Sequence, residues 1–282
     1  MKTIKGNWLG IFIFFSILFG SCFSPPEFSI VPTIKNPVLE FKRGVFTDSL
    51  ILYLDFEDGD GDLGLGTDMT DFPYHPVNFY LENNGDTIAL STSRRFPDMP
   101  AFINVPAGAQ GKLVTSRTRE NPIYDDMFPF YICPFTVTSY LKDSIFVSEE
   151  DAHIFDNNTH HVVEHRTEWN AYKLLDTFYI QPNPNHYNID VEFYIQNNPN
   201  SGGPPFTLFD WKNELCTAPD FTQRFPILTD SENPLAGTLK YGMTSTGFTP
   251  LFGGRSIKLR VRIRDRGLHV SKFIDTNVIT IQ

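Results

Sequence analysis

A run of aspartates and glycines follows one of the most regular apolar patterns in the chain. It reads FEDGDGDLG over residues 56–64 and places carboxylates at Asp58, Asp60 and Asp62. Alternate aspartates around a glycine-rich bend bring hard oxygen ligands together, and such ligands suit Ca²⁺. The sequence therefore predicts one calcium ion held by these three residues, with Asp68 as a further ligand.

The spacing matches a helix–loop–helix calcium loop only in part. Counted from Asp58, aspartates occupy the first, third and fifth positions. Leu63 stands where such a loop has glycine, and Met69 stands where it has glutamate. No helical pattern flanks the run. The alternative is a turn whose carboxylates accept hydrogen bonds from the backbone of their own loop.

A second group of reactive side chains is the histidine-rich stretch His160–His165, which reads HHVVEH. Its last five residues have the H-x-x-E-H spacing of one class of zinc peptidases. On a helix, His161 and His165 would share a face and could hold Zn²⁺, with Glu164 as general base. This gives a zinc-dependent hydrolase as an alternative function. The competing interpretation is a surface cluster of histidines, because no third ligand is marked downstream.

The amino terminus has the pattern of an export signal. Lys2 and Lys5 precede the apolar run Trp8–Phe19, and no acidic residue occurs among them. The run is too short to span a bilayer as a helix, which needs about 20 residues. It fits the apolar region of a secretory signal peptide.

The apolar run ends in LFGSC, in which two small residues precede Cys22. This resembles the lipobox of bacterial lipoproteins, in which the cysteine receives lipid after cleavage. We therefore expect residues 1–21 to be a signal peptide, Cys22 to be lipidated, and residues 22–33 to be a tether, since Pro25 and Pro26 favour extended chain. An ordinary signal peptide with an incidental cysteine is the alternative.

Charge and cysteine content narrow the classes of function. The net charge is −10, and removal of the two lysines of the signal peptide makes it −12. Non-specific binding to nucleic acid needs basic residues that displace counterions, so this class is excluded. With Cys22 lipidated, Cys133 and Cys216 remain, and export permits a disulfide between them. Two separate buried thiols are the alternative.

The patterns between these sites favour antiparallel β-sheets. Four segments alternate between apolar and polar residues or are rich in β-branched residues, as expected for strands with one buried face. They are Ser49–Asp58, Asn188–Gln196, Ser256–Asp265 and Phe273–Gln282. The last two read as a closing hairpin, and Val77–Leu81 with Thr87–Leu90 reads as another. The basic side chains of Ser256–Asp265 are expected to face the acidic ones of Asn188–Gln196 across neighbouring strands.

The fold class predicted is all-β, as one antiparallel β-sandwich over residues 34–282. A long insertion, about 91–185, interrupts it, because the alternation is lost there. Residues 162–175 could form the one substantial helix. The alternative is two small β domains that meet near residue 180.

Two motifs together resemble a group of uncharacterised lipoproteins of Bacteroidota. The first is the strand that runs into DGDGDLG. The second is the closing turn RDRGLHVSK over residues 264–272, preceded by GTLKYGM over residues 237–243. The resemblance covers residues 46–81 and 225–282. It implies an immunoglobulin-like β-sandwich on a lipid anchor, and the group has no activity that could be transferred.

The sequence thus favours a cell-envelope lipoprotein, anchored to the outer membrane through Cys22. We expect a non-enzymatic binding or assembly module whose partner is another envelope protein or a glycan. A calcium-stabilised surface module that binds glycan or protein is a third alternative beside the zinc hydrolase.

Overall fold

The computed structural model describes residues 27–82, 87–92, 101–118, 140–215, 221–229 and 233–282. These residues are predominantly β-strand, which confirms the all-β prediction. The strands are β1 (Thr33–Lys42), β2 (Asp48–Asp58), β3 (Val77–Tyr80), β4 (Thr87–Thr92), β5 (Ala101–Asn104), β6 (Tyr140–Ser148), β7 (Val162–Arg166), β8 (Ala171–Pro182), β9 (Ile189–Gln196), β10 (Phe206–Phe209), β11 (Leu235–Ser245), β12 (Ser256–Ile263), β13 (Ile274–Asp275) and β14 (Ile279–Thr280). Two five-residue helices are α1 (Trp211–Leu215) and α2 (Phe248–Phe252). Among the described residues, no helix is long and apolar enough to cross a bilayer.

The first sheet has the order β1-β2-β11, and all its pairings are antiparallel. Strand β2 lies in the centre, and every second residue along it is buried. The buried set begins at Asp48 and ends at Asp58, with leucines and a phenylalanine between them. The inward face of β2 is therefore apolar in the middle and carries a carboxylate at each end.

The second sheet has the order β10-β9-β12, and β13 and β14 both pair with β12. The closing hairpin predicted from the sequence is thereby confirmed. The expected charge pairing is also present, because Arg260 lies opposite Glu192 and Arg262 opposite Asp190 in the register of β12 and β9. The Arg262 and Asp190 side chains approach to 2.5 Å, and Arg260 and Glu192 to 3.9 Å. The basic stripe of β12 is thus part of a cross-strand charge ladder.

The two sheets pack face to face around one apolar core. Its centre is aromatic: the rings of Phe193, Trp211 and Phe252 have centroids 5.0–6.0 Å apart. Both helices contribute to this cluster, since α1 supplies Trp211 and α2 supplies Phe252. Edge-to-face contacts of this kind add to the stabilisation from burial alone. The arrangement is a β-sandwich, as the alternating patterns indicate.

The middle of the chain forms a third sheet with the order β3-β4-β5-β6-β8-β7. Strand β3 also pairs with β8, so the strand order returns on itself and the sheet closes around a separate apolar core. The phenylalanines Phe79 and Phe178 meet edge to face in that core with centroids 5.5 Å apart. The sandwich strands thus precede and follow, in the chain, a separate β structure with its own core.

The helix predicted for residues 162–175 is wrong. The segment forms β7 and the first part of β8, joined by a turn at Thr167–Asn170 in which Asn170 has a φ of 50°. Val162 and Val163 are β-branched, and Tyr172 is aromatic, so the residues favour a pleated strand over a helix. Pairing of β8 with both β6 and β7 stabilises the strand from each side.

Candidate metal centre

Two aspartates lie where the inward faces of the two sandwich sheets end. Asp58 ends β2 and continues the buried alternation of that strand. Asp265 lies two residues beyond Ile263, the buried end of β12, and has the same inward parity. The two aspartates are 0% and 1% exposed. A carboxylate from each sheet therefore enters the same end of the sandwich.

The loop after β2 adds two more carboxylates, those of Asp60 and Asp62. Its path depends on glycine, because Gly61 has a φ of 69° and Gly64 a φ of 100°. A Cβ on Gly64 would also lie 2.3 Å from the carbonyl oxygen of Pro226. Glycine adopts positive φ angles at least cost, so the glycines of the motif allow the loop to fold back over the end of the sandwich.

One oxygen from each of Asp58, Asp60, Asp62 and Asp265 lies within 4.8 Å of the other three. Calcium binds oxygen at about 2.3–2.6 Å, so ligands on opposite sides of one ion are separated by about 5 Å. The four oxygens therefore fit a single coordination sphere of Ca²⁺. Within the described part of the chain, this is the one group of acidic, histidine or cysteine side chains that meets this distance condition.

Several carboxylate oxygens in this cluster lack a hydrogen-bond donor. Both oxygens of Asp58, one of Asp60 and one of Asp62 are buried without a hydrogen-bond partner. A buried polar group without a partner is costly, and a buried charge more so. A bound cation would satisfy all four oxygens at once. The cluster is thus chemically incomplete as a purely protein structure.

The electrostatics of the cluster agree with this interpretation. Burial, followed by the charges of Asp60 and Asp62, raises the pKa of Asp58 to about 7. Burial is also the main reason that the pKa of Asp265 rises to about 6. Burial and the charge of Asp60 raise the pKa of Asp62 as well. Several carboxylates in one desolvated space oppose each other's ionisation, and a divalent cation reverses that penalty.

The closing turn of the second sheet holds the cluster in place. Asp265 accepts hydrogen bonds from the backbone amide of His269 at 2.7 Å and pairs with its Nδ1 at 2.9 Å. The outer oxygen of Asp62 accepts from the amide of Gly267 at 2.7 Å. Leu63 forms a β-bridge with Asp265. Asp58, Asp60 and Asp62 thus keep oxygens without a hydrogen-bond partner, whereas both oxygens of Asp265 already contact His269.

The structure brings together three of the four predicted ligands and replaces the fourth. Asp68 lies further along the loop, near the guanidinium of Arg224, and is not in the group. Asp265 takes its place. The sequence contained a signal for it, since extending the alternation of β12 by two residues points Asp265 inward. The sequence does not show that the ends of β2 and β12 meet, so Asp265 could not be assigned to the cluster from it.

The histidine-rich stretch does not form a metal-binding arrangement. His161 directly precedes β7 and His165 lies within it, and four residues of strand span about 13 Å. Glu164 forms an ion pair with Arg166 at 2.7 Å, and the ring of His165 stacks on Tyr172 with centroids 4.5 Å apart. The spacing that suggested zinc chemistry required a helix that is not formed.

The remaining predicted sites lie outside the described residues. These are the lipidation site Cys22 and the cysteine pair Cys133 and Cys216, which stay predictions from the sequence. No protein-family model, no curated protein and no solved structure matches this chain. The geometry of the site and the sequence patterns are therefore the basis of the functional argument.

Proposed function

We propose that this chain is a lipid-anchored protein of the cell envelope whose β-sandwich is a calcium-stabilised, non-enzymatic binding or assembly module. The observation that carries the calcium part is the Asp58 carboxylate, which is buried, unpartnered and surrounded by three further carboxylates. The lipobox-like sequence that ends at Cys22 supports the anchor. Outside the cytoplasm, calcium at millimolar concentration would occupy even a site of low affinity.

The ligands indicate what the ion would stabilise. Asp58 ends a strand of the first sheet, and Asp265 follows a strand of the second, so one ion would join the two layers of the sandwich. The same loop leads into the third sheet. Tyr74, on the way to β3, donates a hydrogen bond from its hydroxyl to the carbonyl of Arg266 in the closing turn. Calcium would therefore fix the junction from which the third sheet emerges.

The resemblance to Bacteroidota lipoproteins supports a sandwich on a lipid anchor, and the location proposed is the outer membrane. The partner proposed is another envelope protein or a glycan. The acidic balance of the chain argues against a nucleic acid. The third sheet, held at the calcium end of the sandwich, would present the partner-binding surface at an orientation that depends on the ion.

Calorimetric titration of the chelator-treated mature chain with Ca²⁺ tests the site. Asp265→Asn is expected to weaken binding more than tenfold, because a charge-assisted contact contributes about 1.5–3 kcal/mol. Asp68→Asn is the matched control and should bind as the parent does. Equal weakening in both variants, or no heat of binding in the parent at millimolar Ca²⁺, would remove the proposal.

A further inference from the structure

The turn between β1 and β2 displays two apolar side chains almost completely. Val45 is 92% exposed and Phe46 is 89% exposed, more than the other large hydrophobic residues that the structure describes. Scattered apolar residues at a surface are ordinary, but two adjacent ones held out at a hairpin tip are not.

The backbone behind this tip is firmly held. Asp48 is 7% exposed, and its two oxygens accept hydrogen bonds from the amide of Gly44 at 3.3 Å and from the amide of Thr249 in α2 at 3.0 Å. Gly44 has no room for a side chain, because a Cβ would lie 1.9 Å from the carbonyl of Thr47. A buried carboxylate thus fixes a turn that holds Val45 and Phe46 in solvent.

Other exposed apolar residues follow the same edge of the sandwich. Strand β1 is the outer strand of the first sheet and lies beside β12, β13 and β14 of the second. Asn277 lies between β13 and β14. Its side-chain oxygen accepts a hydrogen bond from the backbone amide of Leu39 in β1, and its side-chain nitrogen donates one to the carbonyl of Leu39. Exposed hydrophobic residues lie before β1, on it, and next to Asn277; they are Ile30, Val31, Val38 and Val278. We call this surface, together with Val45 and Phe46, the β1 edge.

The position of the predicted anchor points to the occupant of this edge. The described chain begins at residue 27, five positions after Cys22, and a chain of that length spans at most about 18 Å. Strand β1 then runs for about 33 Å, from the anchored end of the molecule to the tip. Lys42 and Arg43 flank the tip, and neither forms a salt bridge within the described residues.

We propose that the β1 edge lies against the bilayer that carries the lipid on Cys22, with Val45 and Phe46 inserted among the headgroups. This rests on the lipid anchor of the proposed function. Two basic side chains beside an apolar tip match an anionic lipid surface, although the chain as a whole is acidic. The contact is weak alone, but the tether supplies a high local concentration, as for other proteins that combine two membrane signals.

The edge, the tether and the charges together favour a lipid surface over a protein pocket. A pocket would need to engage only the tip, whereas a membrane would also contact Ile30 and Val31, which lie between the tether and β1, and Val38, the one exposed large apolar side chain on β1.

The test uses the mature chain from residue 22 with Cys22→Ser and an amino-terminal hexahistidine tag. The tag binds vesicles of phosphatidylethanolamine and phosphatidylglycerol that contain a nickel-chelating lipid, so the tether does not depend on lipidation. Phe46→Trp places a fluorophore at the tip. Phe72→Trp is the matched control, since Phe72 is a half-exposed phenylalanine in the loop that leads to the third sheet. Brominated acyl chains quench tryptophan only on close contact. The native Trp169 and Trp211 are common to both variants, so the difference between each variant and the parent reports the added tryptophan.

Quenching of the residue-46 tryptophan, with the residue-72 tryptophan unaffected, is the expected result. Without the tag, Phe46→Ala should lower the bound fraction about tenfold relative to Phe72→Ala. Absence of quenching at both positions in tethered protein would overturn the proposal and leave the tip to a protein partner. Equal quenching at both positions would overturn it too, because the edge would have no preferred orientation. Neither failure bears on lipidation of Cys22 or on calcium binding.

Discussion

Replacement of Asp58 by asparagine should have opposite effects on the cation-free and the calcium-bound protein. The asparagine side chain would keep the shape of the aspartate and remove its charge. Without calcium, that charge is buried beside three other carboxylates and lacks a hydrogen-bond donor. With calcium, it is the most deeply enclosed ligand of the four. Asp58→Asn is therefore expected to stabilise the cation-free protein and to prevent calcium binding.

The magnitude follows from the pKa of Asp58. Its rise from 3.8 to about 7 means that ionisation at pH 8 costs the fold about 4 kcal/mol. Removal of the charge recovers this free energy only in part, since a buried amide with unmet hydrogen bonds costs about 1–3 kcal/mol. A net gain of about 1–3 kcal/mol remains. For a chain of this length, that raises the melting temperature by about 2–10 °C.

Thermal melts at pH 8, in chelator and across a calcium titration, measure both effects. The parent should gain about 2.7 kcal/mol when free Ca²⁺ reaches 100 times the dissociation constant, and Asp58→Asn should gain nothing. Asp68→Asn, which removes a charge from the same loop outside the cluster, should follow the parent. The reasoning would be refuted if Asp58→Asn melted below the parent in chelator and still responded to calcium.

Two further predictions concern pH and the anchor. Because the folded-state pKa values of Asp58 and Asp265 lie above those of the unfolded chain, the cation-free protein should be most stable near pH 4 and should lose stability as the pH rises to 7. Urea unfolding in chelator measures this, and a stability that increases over the same range would contradict it. Cys22→Ser should move the expressed protein from the membrane fraction to the soluble fraction and abolish incorporation of labelled palmitate. Retention of label would show that another residue carries the lipid.

Local patterns in the sequence were sufficient for β2, β9 and β12 of the sandwich, whereas β1, β10 and β11 were not predicted from them. The alternation along β2, β9 and β12 results from the pleat, which sends successive side chains to opposite faces, and one buried face makes it visible. The charge ladder between β9 and β12 was predictable for the same reason, since complementary charges on two neighbouring strands restrict their register. The glycine-rich run after β2 predicted a bend, because glycine adopts positive φ angles more readily than other residues do.

The middle of the chain was less predictable, as the segment 162–175 illustrates. A histidine-containing stretch with mixed polarity fits a helix or a strand when it is considered alone. In the folded protein, β8 pairs with β6 on one side and β7 on the other, and this pairing selects the strand. Tertiary hydrogen bonding of this kind outweighs weak local preferences. The zinc hypothesis depended on the helix, so it lost its geometric basis with it.

The candidate calcium site separates most clearly what the sequence determines from what the tertiary structure determines. By itself, the sequence determined that three aspartates share one glycine-rich bend at the end of a buried strand. The alternation of β12 is also consistent with an inward Asp265, although nothing in the sequence connects it with the other three. Only the tertiary structure decided that these two strand ends meet and that Asp68 stays apart. The reason is physical: the direction of a side chain is fixed by the local backbone, whereas contact between distant strands is fixed by packing of the two sheets around their shared core.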